Sequence, residues 1–283
     1  MNHFLDSSTL GSHAPAASPD TGDTADMAEH VRAFETYAAA YRTGNPDHDF
    51  HLDLKQAHSM NVFRYACRIA GAEDLFRNDA DCARALRLAG LYHDFGRFEQ
   101  YTRYGTFNDK LSINHGHISV REVKRTGVLD GESNRVRSLA MAGIILHNRF
   151  ALPRGLTPDF LAVVKAVRDA DKLDIMRVMA AHLTGKVVAD PVVVLNVKPS
   201  PEVSQAVLAA VMERRLARYV DMATTTDFAL LVCGWLYDLN FAWSRRMAAR
   251  SEHLAELYAS LPRTPELAVF FTQFDRDMAI HAA

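Results

Sequence analysis

The amino-acid sequence predicts an all-α fold, and three observations support this. Apolar residues recur at helical spacing through almost all of the chain from about Asp26 onward. Only residues 187–197 are rich in β-branched side chains, and Pro191 in their middle limits them to at most one short β-hairpin or an edge strand. The chain contains no internal repeat, so we expect the helices to share one continuous core.

Residues that break or cap helices set the predicted boundaries. Gly44-Asn45-Pro46 ends the first helix, and Tyr104-Gly105-Thr106 forms a loop after the third. Ser133 is placed to cap a helix that Leu152-Pro153 closes, and Pro158 occupies an early position of the next helix. The predicted helices cover residues 26–42, 50–70, 79–100, 116–126, 134–149, 159–183, 202–220, 224–249, 251–261 and 264–281.

The pattern predicts one helical domain behind a short tail. A chain of 283 residues would allow about two domains on length alone, but the helical pattern is continuous. Residues 1–25 are rich in Ser, Thr, Pro, Ala, Gly and Asp and lack periodicity, which predicts a flexible tail. Residues 26–283 then form a single domain, with the candidate chemistry at 50–183 and a C-terminal helical extension at 198–283.

Composition excludes several classes of protein. A net charge of −2 gives no strong electrostatic case for binding nucleic acid or an anionic membrane. The longest uncharged apolar run, Phe228 to Tyr237, is too short to span a bilayer, and the first 25 residues lack the pattern of a signal peptide. The three cysteines include no C-x-x-C pair, so neither a disulfide framework nor a cysteine zinc site is expected. These features predict a cytoplasmic protein.

Several titratable residues fall on apolar faces of the predicted helices. His58 lies on the apolar stripe of the second helix, and Asp171 and Asp174 lie on that of the helix at 159–183. His93 and Asp94 lie between apolar residues of the third helix. Buried carboxylates are costly unless they are compensated, and a metal ion or a network of protonated histidines is the usual compensation.

Two further histidines extend this series along the chain. His147 follows three apolar residues and is predicted to point inward, and His115 precedes a predicted helix. The candidates come from at least four helices and form no local motif. They can therefore converge only if the helices bundle around one pocket.

The order of these residues, His, His-Asp, His, His, Asp, resembles that of the HD-domain superfamily of metal-dependent phosphohydrolases. A single His-Asp pair would carry no weight, whereas the whole series in order, with Gly96 and Arg97 after the pair, is specific. The resemblance implies an HD-domain helical bundle with additional C-terminal helices. The segments that carry it are Lys55-x-x-His58, Leu91-Tyr-His-Asp-Phe-Gly-Arg97, Asn114-His115-Gly116, Ile145-Leu146-His147-Asn148 and Arg168-Asp-Ala-Asp-Lys-Leu-Asp174.

The resemblance also implies a metal site. One divalent ion (Mn, Fe, Co, Ni, Mg or Zn, which the ligand types do not distinguish) would be held by His58, His93, Asp94 and Asp171. His115 and His147 match additional histidines of the family, which hold a second ion or bind phosphate. His117 is the alternative to His115 at this position.

Three more residues are candidates through their spacing. Lys55 and Arg97 each lie about one turn from a predicted ligand and are candidate phosphate contacts. Asp174 is predicted to orient a ligand histidine rather than to bind the ion itself. Asp169 faces a different side of its helix from Asp171 and is left outside the site.

The predicted function is metal-dependent hydrolysis of a phosphomonoester or phosphodiester bond by a metal-activated water. The substrate would be a nucleotide or a related small metabolite, and the apolar late helices could serve a homodimer. A non-catalytic HD module that binds a nucleotide or a protein partner is the first alternative. A purely structural helical protein is the second.

Overall fold

The all-α prediction is confirmed for residues 21–283, which are the residues that the computed structural model describes. Within this range the regular structure consists of helices, and side chains are described from Met27 onward. Most of the predicted tail, residues 1–20, lies outside the described residues, whereas residues 21–25 belong to the first helix. Among the described helices, none combines the length and the apolar character that a bilayer crossing requires.

In residues 21–183, eight helices lie where six were predicted. They are α1 (Thr21–Ala39), α2 (Pro46–Ala72), α3 (Asp74–Arg77), α4 (Ala80–Tyr92), α5 (Arg97–Tyr104), α6 (His115–Thr126), α7 (Asn134–Leu146) and α8 (Pro158–Leu183). Helix α3 was not predicted, and the predicted helix at 79–100 is divided into α4 and α5. Side chains cap the N-termini of α2 and α7, the second of these at Ser133 as the sequence predicts. The side chain of Asn45 accepts hydrogen bonds at the start of α2, and that of Ser133 accepts one from the Val136 amide.

The C-terminal extension contains five more helices and three short 3₁₀ turns. The helices are α9 (Gln205–Met212), α10 (Thr225–Gly234), α11 (Ala242–Ala249), α12 (Glu252–Ser260) and α13 (Ala268–Ala282). The 3₁₀ turns are Tyr219–Asp221, Trp235–Asp238 and Pro265–Leu267. The predicted helix at 224–249 is therefore wrong as a single element, because the chain leaves helical geometry at Leu239 to Phe241.

The predicted helix at 79–100 also divides, at residues 93–96, between α4 and α5. Gly96 explains where the chain can turn, because this residue packs directly on α6. A Cβ at this position would lie 2.5 Å from the Ser119 amide nitrogen, and the Gly96 amide donates to Ser119 Oγ at 2.9 Å. The break places His93 and Asp94 between two helices, where both side chains can reach one point.

Replacing Gly96 with alanine should lower the free energy of unfolding by about 1–3 kcal/mol, because the added methyl group has no space against the α6 backbone. Gly131→Ala is the matched control, since nothing lies within 4 Å of a Cβ there. Urea denaturation followed by circular dichroism measures both changes. Equal midpoints for the two variants would contradict the close contact.

Residues 187–197 form turns and not a hairpin. The Asp190 carboxylate accepts the amides of Val192 and Val193, at 2.8 and 3.3 Å, and so starts a series of turns through residue 196. In the described chain the only β-type pairing is an isolated bridge between Lys198 and Thr224. Leu195 has a φ of 57°, a left-handed conformation that costs a bulky residue about 1–2 kcal/mol.

Helix α8 is shared by two hydrophobic clusters. The first cluster packs α1, α2, α4, α5 and α7 around the N-terminal half of α8, as far as Ala170. The second begins at Leu173 and packs the C-terminal half of α8 against α9, α10, α12 and α13. Asp171 lies between these two residues on the same helix, at the junction of the clusters.

Candidate metal centre

Four histidines bring their Nε2 atoms to one place around the Asp94 carboxylate. The side chains come from α2, the α4–α5 junction, the start of α6 and the end of α7. His58 Nε2 lies 3.2 Å from His93 Nε2, and His115 Nε2 lies 2.9 Å from His147 Nε2. The nearest Asp94 oxygen is 3.5–3.9 Å from each of the four nitrogens.

The opposite ring nitrogen of each histidine is held by an acceptor. His58 Nδ1 lies 2.8 Å from Asp174 Oδ2, and His93 Nδ1 lies 2.9 Å from the Gly90 carbonyl. His115 Nδ1 lies 2.7 Å from Asp109 Oδ2, and His147 Nδ1 lies 2.7 Å from the Ile144 carbonyl. In a neutral imidazole, a proton on Nδ1 leaves a lone pair on Nε2. All four lone pairs then point at the same space, which is the arrangement that metal-ligating histidines need.

Burial keeps most of these imidazoles neutral. It lowers the pKa of His93, and together with the charge of Arg97 it lowers that of His115. The pKa of His147 falls to about 3, first through burial and then through the neighbouring histidines. His58 differs, because Asp171 and Asp174 outweigh its burial and raise its pKa.

The carboxylates of the cluster remain ionised. Burial alone would raise the pKa of Asp94, but the charges of Lys55 and Arg97 hold it well below its usual range. Burial of Asp171 is likewise outweighed, in this case by His58 and His93, so its pKa is also lowered. Asp171 Oδ1 lies 3.2 Å from His58 Nε2 and 3.7 Å from His93 Nε2.

The donor set fits a divalent ion. Two groups of three side chains have ligand atoms within 4.8 Å of one another, and the two groups share His93. One consists of His58, His93 and Asp171, and the other of His93, Asp94 and His147. Mixed imidazole and carboxylate ligation suits first-row divalent ions. Two overlapping groups provide donors for one ion or for a pair.

Both predicted phosphate contacts lie at this cluster. Lys55 Nζ donates to Asp94 Oδ2 at 2.7 Å, and Arg97 Nε donates to Asp94 Oδ1 at 3.2 Å. The Arg97 guanidinium is further fixed by donating to the Phe107 carbonyl at 2.6 Å. Its Nη2 atom faces His115 Nε2 at 3.4 Å.

Asp174 contacts a histidine of the cluster, whereas Asp169 contacts backbone outside the cluster. Asp174 is fully buried and accepts from His58 Nδ1 at 2.8 Å and from Asn61 Nδ2 at 3.0 Å, so it orients a histidine of the cluster. Asp169 points away and accepts the backbone amides of Asn240 and Phe241, at 2.9 and 3.0 Å.

The structure places His115 at the cluster and His117 away from it. His115 is buried within the cluster, whereas His117 is exposed and lies 3.3 Å from Arg149 Nη2. Helix α6 begins at His115, so its first side chain faces the bundle and the one two residues later faces outward.

Asp109 and Tyr219 were missed by sequence reasoning. Asp109 holds the His115 ring from the loop between α5 and α6, and Gln100 Nε2 donates to it at 3.0 Å. Tyr219 comes from the C-terminal extension and lines the same cavity. The residue is 48% exposed, yet burial of the hydroxyl, with the charge of Asp171, raises its pKa. In the structure Asp109 lies in a loop, and Tyr219 lies in a 3₁₀ turn rather than in the helix predicted at 202–220, so helical spacing did not place either residue at the site.

The cluster lies in a cavity of about 490 Å³. This volume is within the usual range for small-molecule sites, about 300–1,000 Å³. The polar lining includes every residue of the cluster except the fully buried His93, together with Lys55, Arg97, Lys110 and Arg149. The cavity therefore presents a metal-binding geometry to a molecule of small-metabolite size, beside several cationic side chains.

Comparison with known proteins agrees with this geometry. The family model for the HD domain matches residues 56–176, which include both carboxylates and all four histidines of the cluster. The comparisons with curated proteins and with solved structures returned no match. Residues 56–176 of this chain therefore match an HD domain, which is consistent with the HD-domain superfamily of metal-dependent phosphohydrolases.

Proposed function

We propose that this protein is a metal-dependent phosphohydrolase that cleaves a phosphomonoester or phosphodiester bond in a small molecule. The observation that carries the proposal is that four imidazoles, each held at Nδ1 by an acceptor, converge on two ionised carboxylates at a cavity. The ion would be held by His58, His93, Asp94 and Asp171.

The residues around the ion would have separate tasks. When bound, a divalent ion supplies a Lewis acid and lowers the pKa of a coordinated water. His115 and His147 would hold a second ion or contact the phosphate, and their lowered pKa values keep them neutral near pH 7. Lys55 and Arg97 would orient the phosphate and stabilise its negative charge, since both are held in place by Asp94.

Metal analysis followed by a panel of phosphomonoesters and phosphodiesters tests the proposal. We expect at least one equivalent of divalent ion per chain after loading, together with turnover of at least one ester. Protein that binds no ion under any loading condition would refute the metal site. Binding of esters without turnover, in loaded protein, would favour a non-catalytic binding module.

His115→Ala should lower kcat/KM by about 10²–10³-fold, because it removes a group that contacts either an ion or the phosphate. His117→Ala is the matched control, since it removes an exposed imidazole two residues away. We expect this control to stay within about twofold of the parent protein. Steady-state kinetics on the best ester of the panel compares the two, and similar losses would exclude a specific role for His115.

Loading with metal should raise the melting temperature. At an ion concentration 100-fold above Kd the native state gains about 2.7 kcal/mol, which corresponds to about 5–10 °C for a chain of this size. A chelator should reverse the shift, and Asp171→Asn should reduce it. A melting temperature that is insensitive to both ion and chelator would favour the purely structural alternative.

A further inference from the structure

The cavity at the metal cluster is lined by two chemically different groups of residues. One group consists of the histidines, carboxylates and cationic side chains described above. The other group comes from residues 192–197 and from the C-terminal extension that follows them, and we call its apolar members the extension wall: Val192, Leu195, Val197, Leu216 and Met222. Ile175 and Met179 of α8 continue this wall toward Asp171.

The extension wall offers few polar side-chain groups to a ligand. Among the lining residues from 192 onward, only the Tyr219 hydroxyl and the Trp235 indole N–H can form hydrogen bonds. Two cations of α8 also line the cavity, but Asp238 Oδ2 pairs with both, at 2.8 Å from Lys172 Nζ and 3.5 Å from Arg168 Nη2. Most polar groups that could bind a ligand in this cavity therefore belong to the metal cluster and the cationic side chains beside it.

The difference between the polar and the apolar lining residues indicates what kind of alcohol the ester contains. Sugar hydroxyls and base edges placed against an apolar wall would lose hydrogen bonds to water and gain few in return. A hydrocarbon group placed there would instead release water from apolar surfaces on both sides. Phe150, which is 57% exposed, adds an aromatic ring to the same lining.

We propose that the substrate is a phosphate ester of a largely apolar alcohol, with its phosphate at the metal cluster and its hydrocarbon group against the extension wall. The inference rests on the proposed function and narrows its substrate class. It makes residues 192–222, which lie outside the matched HD domain, the part of the chain that selects the leaving alcohol.

Substitution of Leu195 tests whether the extension wall binds the hydrocarbon group of the substrate. It has a φ of 57°, and Asn adopts this left-handed conformation more readily than Leu does. Leu195→Asn is therefore compatible with the backbone while it replaces an apolar side chain of the wall with a polar one. Val188→Asn is the matched control, because Val188 lies in the same segment, is 87% exposed and does not line the cavity.

The experiment compares n-alkyl monophosphates of two to eight carbons, and the corresponding methyl n-alkyl diesters, with glycerol phosphate and nucleoside monophosphates. For the metal-loaded protein we expect kcat/KM to rise about fourfold per buried methylene until the wall is covered. In Leu195→Asn the ratio of octyl to ethyl ester should fall about tenfold, and in Val188→Asn it should be unchanged. A flat series, or a preference for glycerol phosphate or nucleotides, would overturn the inference.

Binding measurements separate this inference from the proposed function. Calorimetry with octylphosphonate and ethylphosphonate, neither of which is a phosphate ester, needs no turnover. Tighter binding of the octyl compound, weakened by Leu195→Asn, would support the wall even if no ester were cleaved. Equal binding of the two compounds would overturn the inference even in an active phosphohydrolase.

Discussion

Asp94→Asn should remove the bound divalent ion and lower kcat/KM by about 10³-fold. The carboxylate lies within 3.9 Å of four imidazole nitrogens and accepts from both Lys55 and Arg97, so its negative charge is at the centre of the cluster. Loss of the ion removes several kcal/mol of transition-state stabilisation, and each 1.36 kcal/mol corresponds to about tenfold in rate. Metal content per chain and steady-state kinetics measure the two losses together.

Asp130→Asn is the control for this substitution. Its side chain is 76% exposed, so the same chemical change there should leave both metal content and rate close to those of the parent protein. If Asp94→Asn retained full metal content and lost only activity, Asp94 would act on the substrate and not on the ion.

Asp169→Ala should lower the free energy of unfolding by about 3–5 kcal/mol. This fully buried carboxylate accepts the backbone amides of Asn240 and Phe241 and the Asn240 side-chain amide at 2.9–3.0 Å. Alanine would leave these donors without their acceptor in the interior, and each buried donor left unsatisfied costs about 1–3 kcal/mol. The midpoint of urea denaturation should fall with an unchanged slope.

Asp130→Ala again gives the matched control, because it removes an exposed carboxylate. We expect it to change the free energy of unfolding by no more than about 0.5 kcal/mol. Equal stability of the two variants would mean that water or a rearranged backbone satisfies the amides in place of Asp169.

Helices could be predicted where the spacing of apolar residues determines them. The positions at which predicted helices are interrupted could not be predicted. The apolar stripes of α2 and α8 are visible in the sequence, and both helices lie close to the predicted ranges. The breaks at residues 93–96 and 239–241 depend instead on contacts between distant segments. Ser119 accepts the Gly96 amide, and Asp169 accepts the Asn240 amide. No window of local sequence contains both partners of such a contact.

Residues of the site that depend on contacts between distant segments were likewise not predicted from the sequence. The order of histidines and aspartates identified the six residues that the structure brings together, because each belongs to a motif of the family. Asp109 lies outside that series, although it holds the His115 ring. The extension wall is formed by side chains from turns and loops up to 30 residues apart, such as Val192 and Met222, and only the folded chain places them together.

The position of Asp171 between the two hydrophobic clusters has a consequence for cooperativity. Since α8 runs through both clusters without interruption, neither can open fully unless this helix frays at or near the proposed ligand Asp171. A bound ion would then act as a clamp between the two halves of the molecule. Its effect would extend to amides of α10 and α12, far from any ligand, which would exchange with solvent more slowly when the ion is present.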